Sequence, residues 1–180
     1  MKRRILAIVL VLVLCAAGAF AEKKSSQIPW WVTHTNPGHM DFTVGAGWTD
    51  FGFGVDAGVI YTIGDFDLGP IPLSWGITGL ADIGFSWGMG IGAGAFVHLE
   101  TGWDFGGIWK FDWQAGIGPA IGVGLVPGWS SSGFGFGIGS YESSAWRFSK
   151  NMALIGQYAY MWSFFGPGMY AYTLGVEFKL

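Results

Sequence analysis

Six ionisable residues are spaced for joint chemistry: His98 and Glu100, Lys110 and Asp112, Glu177 and Lys179. Members of each pair sit two apart, so in a strand both point to one side. Gathered in a narrow interior they would form an ion-pair cluster that neutralises buried charge. The same groups could serve as a gate or a binding point. Other chemistries are poorly supplied. Nucleophilic catalysis needs a hydroxyl beside a base, but Ser130, Ser131 and Ser132 fall at the opposite end of the strand pattern from His98. His34, His39 and Asp41 could ligate a metal, though such histidines in a loop read more simply as a solvated segment. Asp56 and Asp82 lie on separate segments, too loosely related for paired-carboxylate catalysis. The stretch from Gly88 to Gly94 alternates glycine as a strand does and lacks the Lys-Ser/Thr and helix of a phosphate loop. No catalytic, cofactor or metal residue is assigned.

The elements that must position these groups are strands. From Trp75 to Leu99 every odd residue except Gly79 is apolar, while the even positions are mostly glycine or polar, with Leu80 and Phe96 as exceptions. Period-two alternation marks strands with one apolar face. A run this long must fold back on itself. Its greasy face suits lipid, as the outside of a closed barrel.

The N-terminus adds an address. Lys2, Arg3 and Arg4 precede the apolar run from Ile5 to Leu14, and Ala19-Phe20-Ala21 offers a small-x-small site, which predicts cleavage between Ala21 and Glu22. Cys15 leaves with residues 1–21, so disulfides and thiolate metal sites are excluded. Removing that segment takes three of the nine Lys/Arg and none of the 12 Asp/Glu, for a formal charge of −6. Such acidity argues against a nucleic-acid partner. Past the signal no apolar run is long enough for a helical membrane span.

The alternation gives about eight strands: Asp41–Trp48, Phe51–Ile63, two from the Trp75–Leu99 run split near Ser86–Gly88, one from Ile108 to Ile117, then Phe134–Tyr141, Met152–Phe164 and Met169–Leu180. Thr49-Asp50 is expected as the first two-residue turn, Ser86-Trp87-Gly88 as a three-residue turn, and Gly166-Pro167-Gly168 as the last. Longer breaks are expected at 64–72, 101–107, 119–133 and 142–151. Residues 22–40, with Trp30 and Trp31, read as a non-strand segment that plugs the lumen or lies at the membrane interface. Aromatics collect at two levels: Tyr61, Trp75, Trp109, Trp113 and Phe178 at one end, Trp48, Phe51, Phe85, Trp87, Trp162 and Tyr170 at the other. Ten residues separate Trp75 from Phe85; at ~3.3 Å per residue and ~40° of tilt that is a vertical ~25 Å, the height of an outer-membrane apolar band.

The last eight residues, Thr173 to Leu180, resemble the C-terminal insertion signal of bacterial outer-membrane barrels, with Gly175 and Phe178 in the expected places and Leu180 where an aromatic residue is usual. With the signal peptide and strand count, residues 41–180 resemble the small eight-stranded outer-membrane barrels of the OmpA/OmpX/OmpW-like class. The resemblance implies an all-β, antiparallel up-and-down transmembrane barrel in the cell outer membrane of a diderm bacterium. Outer-membrane lipid and, during biogenesis, the barrel-assembly machinery would be its partners.

The function expected is non-enzymatic: a structural membrane protein, or a narrow conduit or binder for a small molecule. A secreted soluble ligand-binding barrel would need a polar exterior. A lipid-modifying enzyme would need a Ser–His constellation, and a surface adhesin would need long outer loops. Inward glycines at 54, 58, 90, 92, 94, 116 and 118 are expected to leave a small closed cavity, too narrow for a porin channel.

Overall fold

The computed structural model describes residues 28–50, 52–85, 88–125 and 133–180. The signal cleavage site at Ala21 and Glu22, Phe51, Ser86, Trp87 and the Ser130–Ser132 cluster lie outside them. Among the described residues there are nine strands: β1 (Trp31–Val32), β2 (Met40–Thr49), β3 (Gly52–Leu68), β4 (Ile71–Phe85), β5 (Met89–Asp104), β6 (Lys110–Leu125), β7 (Gly133–Arg147), β8 (Met152–Phe165) and β9 (Tyr170–Lys179). Strands β2 to β9 each pair antiparallel with their chain neighbours, and β2 also pairs with β9. This closes an eight-stranded up-and-down barrel in which no barrel strand is left as an edge.

Side chains alternate as the sequence pattern demands. On β2, Phe42, Val44, Ala46 and Trp48 face outward and exposed, while Asp41, Thr43 and Thr49 are buried inside. On β5, Ile91, Val97 and Leu99 face outward against buried Phe96, His98 and Glu100. Exposed aromatics gather at both rims: Tyr61, Phe105, Trp109, Trp113, Phe148 and Phe178 at the end carrying the C-terminus, and Trp48, Phe53, Phe85, Phe134, Trp162 and Phe164 at the other. The exposed residues between them are chiefly Val, Ile and Leu. An outside this apolar is the reverse of a water-soluble barrel.

The strands run longer than alternation alone suggests. β3 continues to Leu68 and β4 begins at Ile71, so the expected break at 64–72 shrinks to a turn at Gly69 and Pro70. A register shift between Thr62 and Gly64 displaces the pattern by one residue, which hid this extension. β5 reaches Asp104, β6 continues through Pro119 to Leu125, and β7 runs to Arg147 rather than Tyr141. The first turn differs from the expected Thr49-Asp50: Thr49 still pairs with Gly52 and Trp48 with Phe53, so Thr49 belongs to the β2 ladder rather than to the turn. Gly52 at φ +102° takes a backbone conformation open to glycine, and Thr49 Oγ1 donates to its carbonyl at 3.2 Å. The 22–40 segment is not wholly strand-free, because β1 pairs Trp31 with Trp103 and Val32 with Gly102.

Candidate functional site: the two closed ends of the lumen

After β1 has docked on β5, the chain turns into the barrel mouth. Thr35 is 1% exposed and donates to Glu100 Oε2 at 3.0 Å, with Ser74 Oγ at 3.4 Å. His34 Nδ1 bonds Asp112 Oδ1, and Lys179 Nζ donates to the His34 carbonyl at 2.8 Å. Gly38 N–H then donates to the Thr62 carbonyl at 2.8 Å and delivers the chain to β2. The segment thus touches β3, β4, β5, β6 and β9 from within. It is a cap on that mouth.

Beneath the cap lies an ion-pair network centred on Arg147. Its Nε donates to Asp112 Oδ2, its Nη2 lies 2.7 Å from Glu177 Oε1, and 3.9 Å from Asp41 Oδ2. All four side chains are buried. His39 Nε2 sits 3.1 Å from Asp41 Oδ1, and Gln114 Nε2 donates to Glu100 at 3.2 Å. Burial of carboxylates in this number is tolerable only where charge partners and hydrogen bonds replace water.

The six residues expected to cluster divide. Glu100, Asp112 and Glu177 belong to the network. His98 is one layer deeper, its Nδ1 2.8 Å from Thr78 Oγ1, with no ion pair among the described residues. Lys110 sits at the rim, 3.0 Å from Asp104, where hydrogen bonds from Lys110 and the Gly106 N–H hold the Asp104 carboxyl below its usual range. Lys179 meets the cap's backbone rather than a carboxylate. The central cation, Arg147, was not expected, because residues 142–151 read as a break. Outward Glu142 and Ser144 spoil the apolar phase there, although Trp146, in step with Phe134, Phe136 and Ile138, carries the signal of a continuing strand. His34 and His39 each take a carboxylate, and no group of three or more metal-ligating side chains occurs among the described residues.

Above this network the lumen is filled. Ile60, Ala145, Ala153 and Ile155 form one buried cluster; Leu80, Phe96, Ala120, Tyr141, Ala159, Met161, Met169 and Ala171 form the next. The rings of Phe96 and Tyr141 stack at 5.7 Å. On one wall Asp56 and Asp82 are direct cross-strand partners, contrary to the looser placement expected from sequence. Thr173 donates to Asp56 at 2.5 Å, and Asp82 lies over Gly92 beside Met169.

At the opposite mouth the main chain itself turns in. The connection at 166–169 folds inward, with Met161 N–H donating to the Met169 carbonyl at 2.8 Å and Met169 buried. A methyl group at Gly135 would collide with the Pro167 carbonyl, and one at Gly122 with the Gly168 carbonyl. Deeper in, the Phe96 ring occupies the space a side chain at Gly94 would need. Of the glycines expected to leave a cavity, Gly92 and Gly94 instead face the Asp82 carboxylate and the Phe96 ring. Backbone and larger side chains take the volume. Asp50 braces this end, its N–H donating to the Tyr170 carbonyl at 3.0 Å, and burial pushes its carboxyl up from the ordinary range.

No protein-family model matches the sequence, and no curated protein does. Solved structures similar to the chain include a de novo designed transmembrane β-barrel, at 13% identity and TM-score 0.44, covering 82% of this chain and 100% of the other. Ail, the attachment invasion locus protein of Yersinia pestis, gives 14% identity and 0.44, covering 80% and 99%. Neisserial surface protein A gives 14% and 0.46, covering 84% and 97%.

Proposed function

We propose that the chain is a small, non-enzymatic integral protein of the bacterial outer membrane whose barrel is closed at both ends and acts structurally rather than as a conduit. The observation that carries this reading is the exterior: an apolar band between two aromatic rims, on a barrel whose polar groups turn inward. The capped mouth and inward-folded 166–169 connection support closure. The interior carboxylates meet Arg147 and cap residues, which supports a packing role for them.

Residues 1–21 would be removed on export, between Ala21 and Glu22. Gly175, Phe178 and Leu180 would be read by the barrel-assembly machinery, Phe178 being exposed on the outer face of β9. The test is reconstitution of the mature chain into lipid vesicles, followed by flotation and planar-bilayer conductance. Co-flotation resistant to alkaline extraction, with no steady conductance, is expected. A protein that stays soluble without detergent would overturn the membrane reading. A stable porin-sized conductance would overturn closure.

A further inference from the structure

Beyond residue 24 the chain has four Lys or Arg residues, Lys110, Arg147, Lys150 and Lys179, and all four line one pocket at the rim of the end carrying the C-terminus. The pocket, about 320 Å³, is completed by His34, Gly107, Phe148 and Ser149. Carboxylates balance part of this charge, Asp104 at Lys110 and Asp41, Asp112 and Glu177 around Arg147, so the cations with capacity to act outward are Lys150 and Lys179.

These cations are not equally spoken for. Arg147 is held by Asp112, Glu177 and Asp41, yet its Nη1 is buried without a hydrogen-bond partner. Lys110 is paired with Asp104. Lys179 uses one of its three N–H donors on the His34 carbonyl. Lys150, exposed in the turn after β7, makes no ion pair among the described residues. The pocket therefore offers free donors on two ammonium groups, above a buried guanidinium whose charge is shared with Asp112, Glu177 and Asp41. Its outer lip is apolar: Phe148 is exposed and packs edge-on against Trp146 at 6.3 Å, within the aromatic rim.

We propose that this pocket binds a phosphate-bearing anion, with Lys150 and Lys179 supplying the principal donors and Arg147 the floor. Several N–H donors converging on one anion make charge-assisted hydrogen bonds, which phosphate oxygens accept in number. A pocket with a basic floor and an aromatic lip suits a lipid headgroup phosphate at the bilayer surface as well as a free phosphate.

The experiment uses the folded mature chain in uncharged detergent, titrated with inorganic phosphate by calorimetry. A parallel arm uses nanodiscs of phosphatidylcholine with or without phosphatidylglycerol, with retained lipid read by native mass spectrometry. Both arms compare the wild type with Lys150→Glu and Lys150→Arg, each checked for an unchanged melting curve. Saturable phosphate binding, weakened at least about tenfold by Lys150→Glu and kept by Lys150→Arg, identifies a free-anion site. Selective retention of phosphatidylglycerol, lost in Lys150→Glu without phosphate binding in micelles, identifies a headgroup site. Binding in neither arm, or binding indifferent to Lys150→Glu, overturns the proposal. The micelle arm needs only a folded barrel, so its outcome is separate from the membrane reading.

Discussion

At the end carrying the C-terminus the lumen is closed by side chains of opposite charge; at the other end main chain presses against glycine. The first closure gathers a cap segment, four carboxylates and one guanidinium. The second needs almost no polar side chain, only walls smooth enough at Gly122 and Gly135 for the Pro167 and Gly168 carbonyls to approach. One closure depends on ionisation and tolerates shape changes in long side chains. The other depends on shape and is indifferent to charge. A narrow barrel can thus be filled in two ways, and each leaves a different signature under mutation.

The difference is broken most severely by Arg147→Ala. Three buried carboxylates, Asp41, Asp112 and Glu177, would lose their shared cation. Removing one member of a buried ion pair costs about 3–5 kcal/mol. Urea unfolding of the refolded protein in vesicles should show that loss as a lowered midpoint at unchanged slope. A loss below about 1 kcal/mol would mean that ionic contacts do not hold this mouth.

Gly135→Val probes the other closure. Overpacking typically costs about 1–3 kcal/mol, and here the added atoms meet the Pro167 carbonyl, a backbone atom held by the strands either side. The 166–169 connection should be expelled and become cleavable by chymotrypsin near Phe165. Gly79→Val is the control: Gly79 faces outward with open space around its absent Cβ, so little change is expected. If the two valines behave alike, the main-chain closure is misread.

Much of this was legible in the residues, and the part that was not has a physical cause. The alternation is clear from Phe42 to Tyr61 and from Trp75 to Leu99 because the outward face needs only to be apolar, a one-letter code repeated every second residue. Arg147 escaped because its strand carries Glu142 and Ser144 on the outside, and the period breaks where the polar network begins. The inward fold of Gly166-Pro167-Gly168 was invisible for another reason: a turn signal says that the chain reverses and nothing about the side to which it leans. Glycine on the inner wall is equally consistent with empty space and with close approach. Only the position of the Pro167 carbonyl decides between them.

His34→Ala sharpens the comparison with a smaller effect. It removes the cap's bond to Asp112 while Arg147 still serves that carboxylate. The expected cost is that of one charge-assisted hydrogen bond, about 1–2 kcal/mol. Hydrogen exchange should quicken at Gly38, whose N–H anchors the cap to Thr62, and stay unchanged at Met161 beneath the opposite mouth. Equal quickening at both would show that the two closures are not independent.

The smallest effect belongs to Asp104→Asn, which separates the ionic network from the rim charges around it. Asp104 is partly exposed at the rim, and its carboxyl lies below the ordinary value of 3.8, chiefly through the hydrogen bond with Lys110 and then the Gly106 N–H. An acid whose folded pKa is depressed adds stability that is present above its unfolded pKa and disappears as pH falls through the folded one. The wild type should therefore exceed Asp104→Asn slightly at neutral pH, and the two should converge below the folded pKa. Because the pair stands in solvent, salt should also erase the gap. Arg147→Ala should behave otherwise, keeping most of its deficit in salt because its carboxylates are buried. If added salt narrows both deficits to the same extent, the Arg147 network is screened like the rim, and the charged mouth is a solvated surface rather than a buried seal.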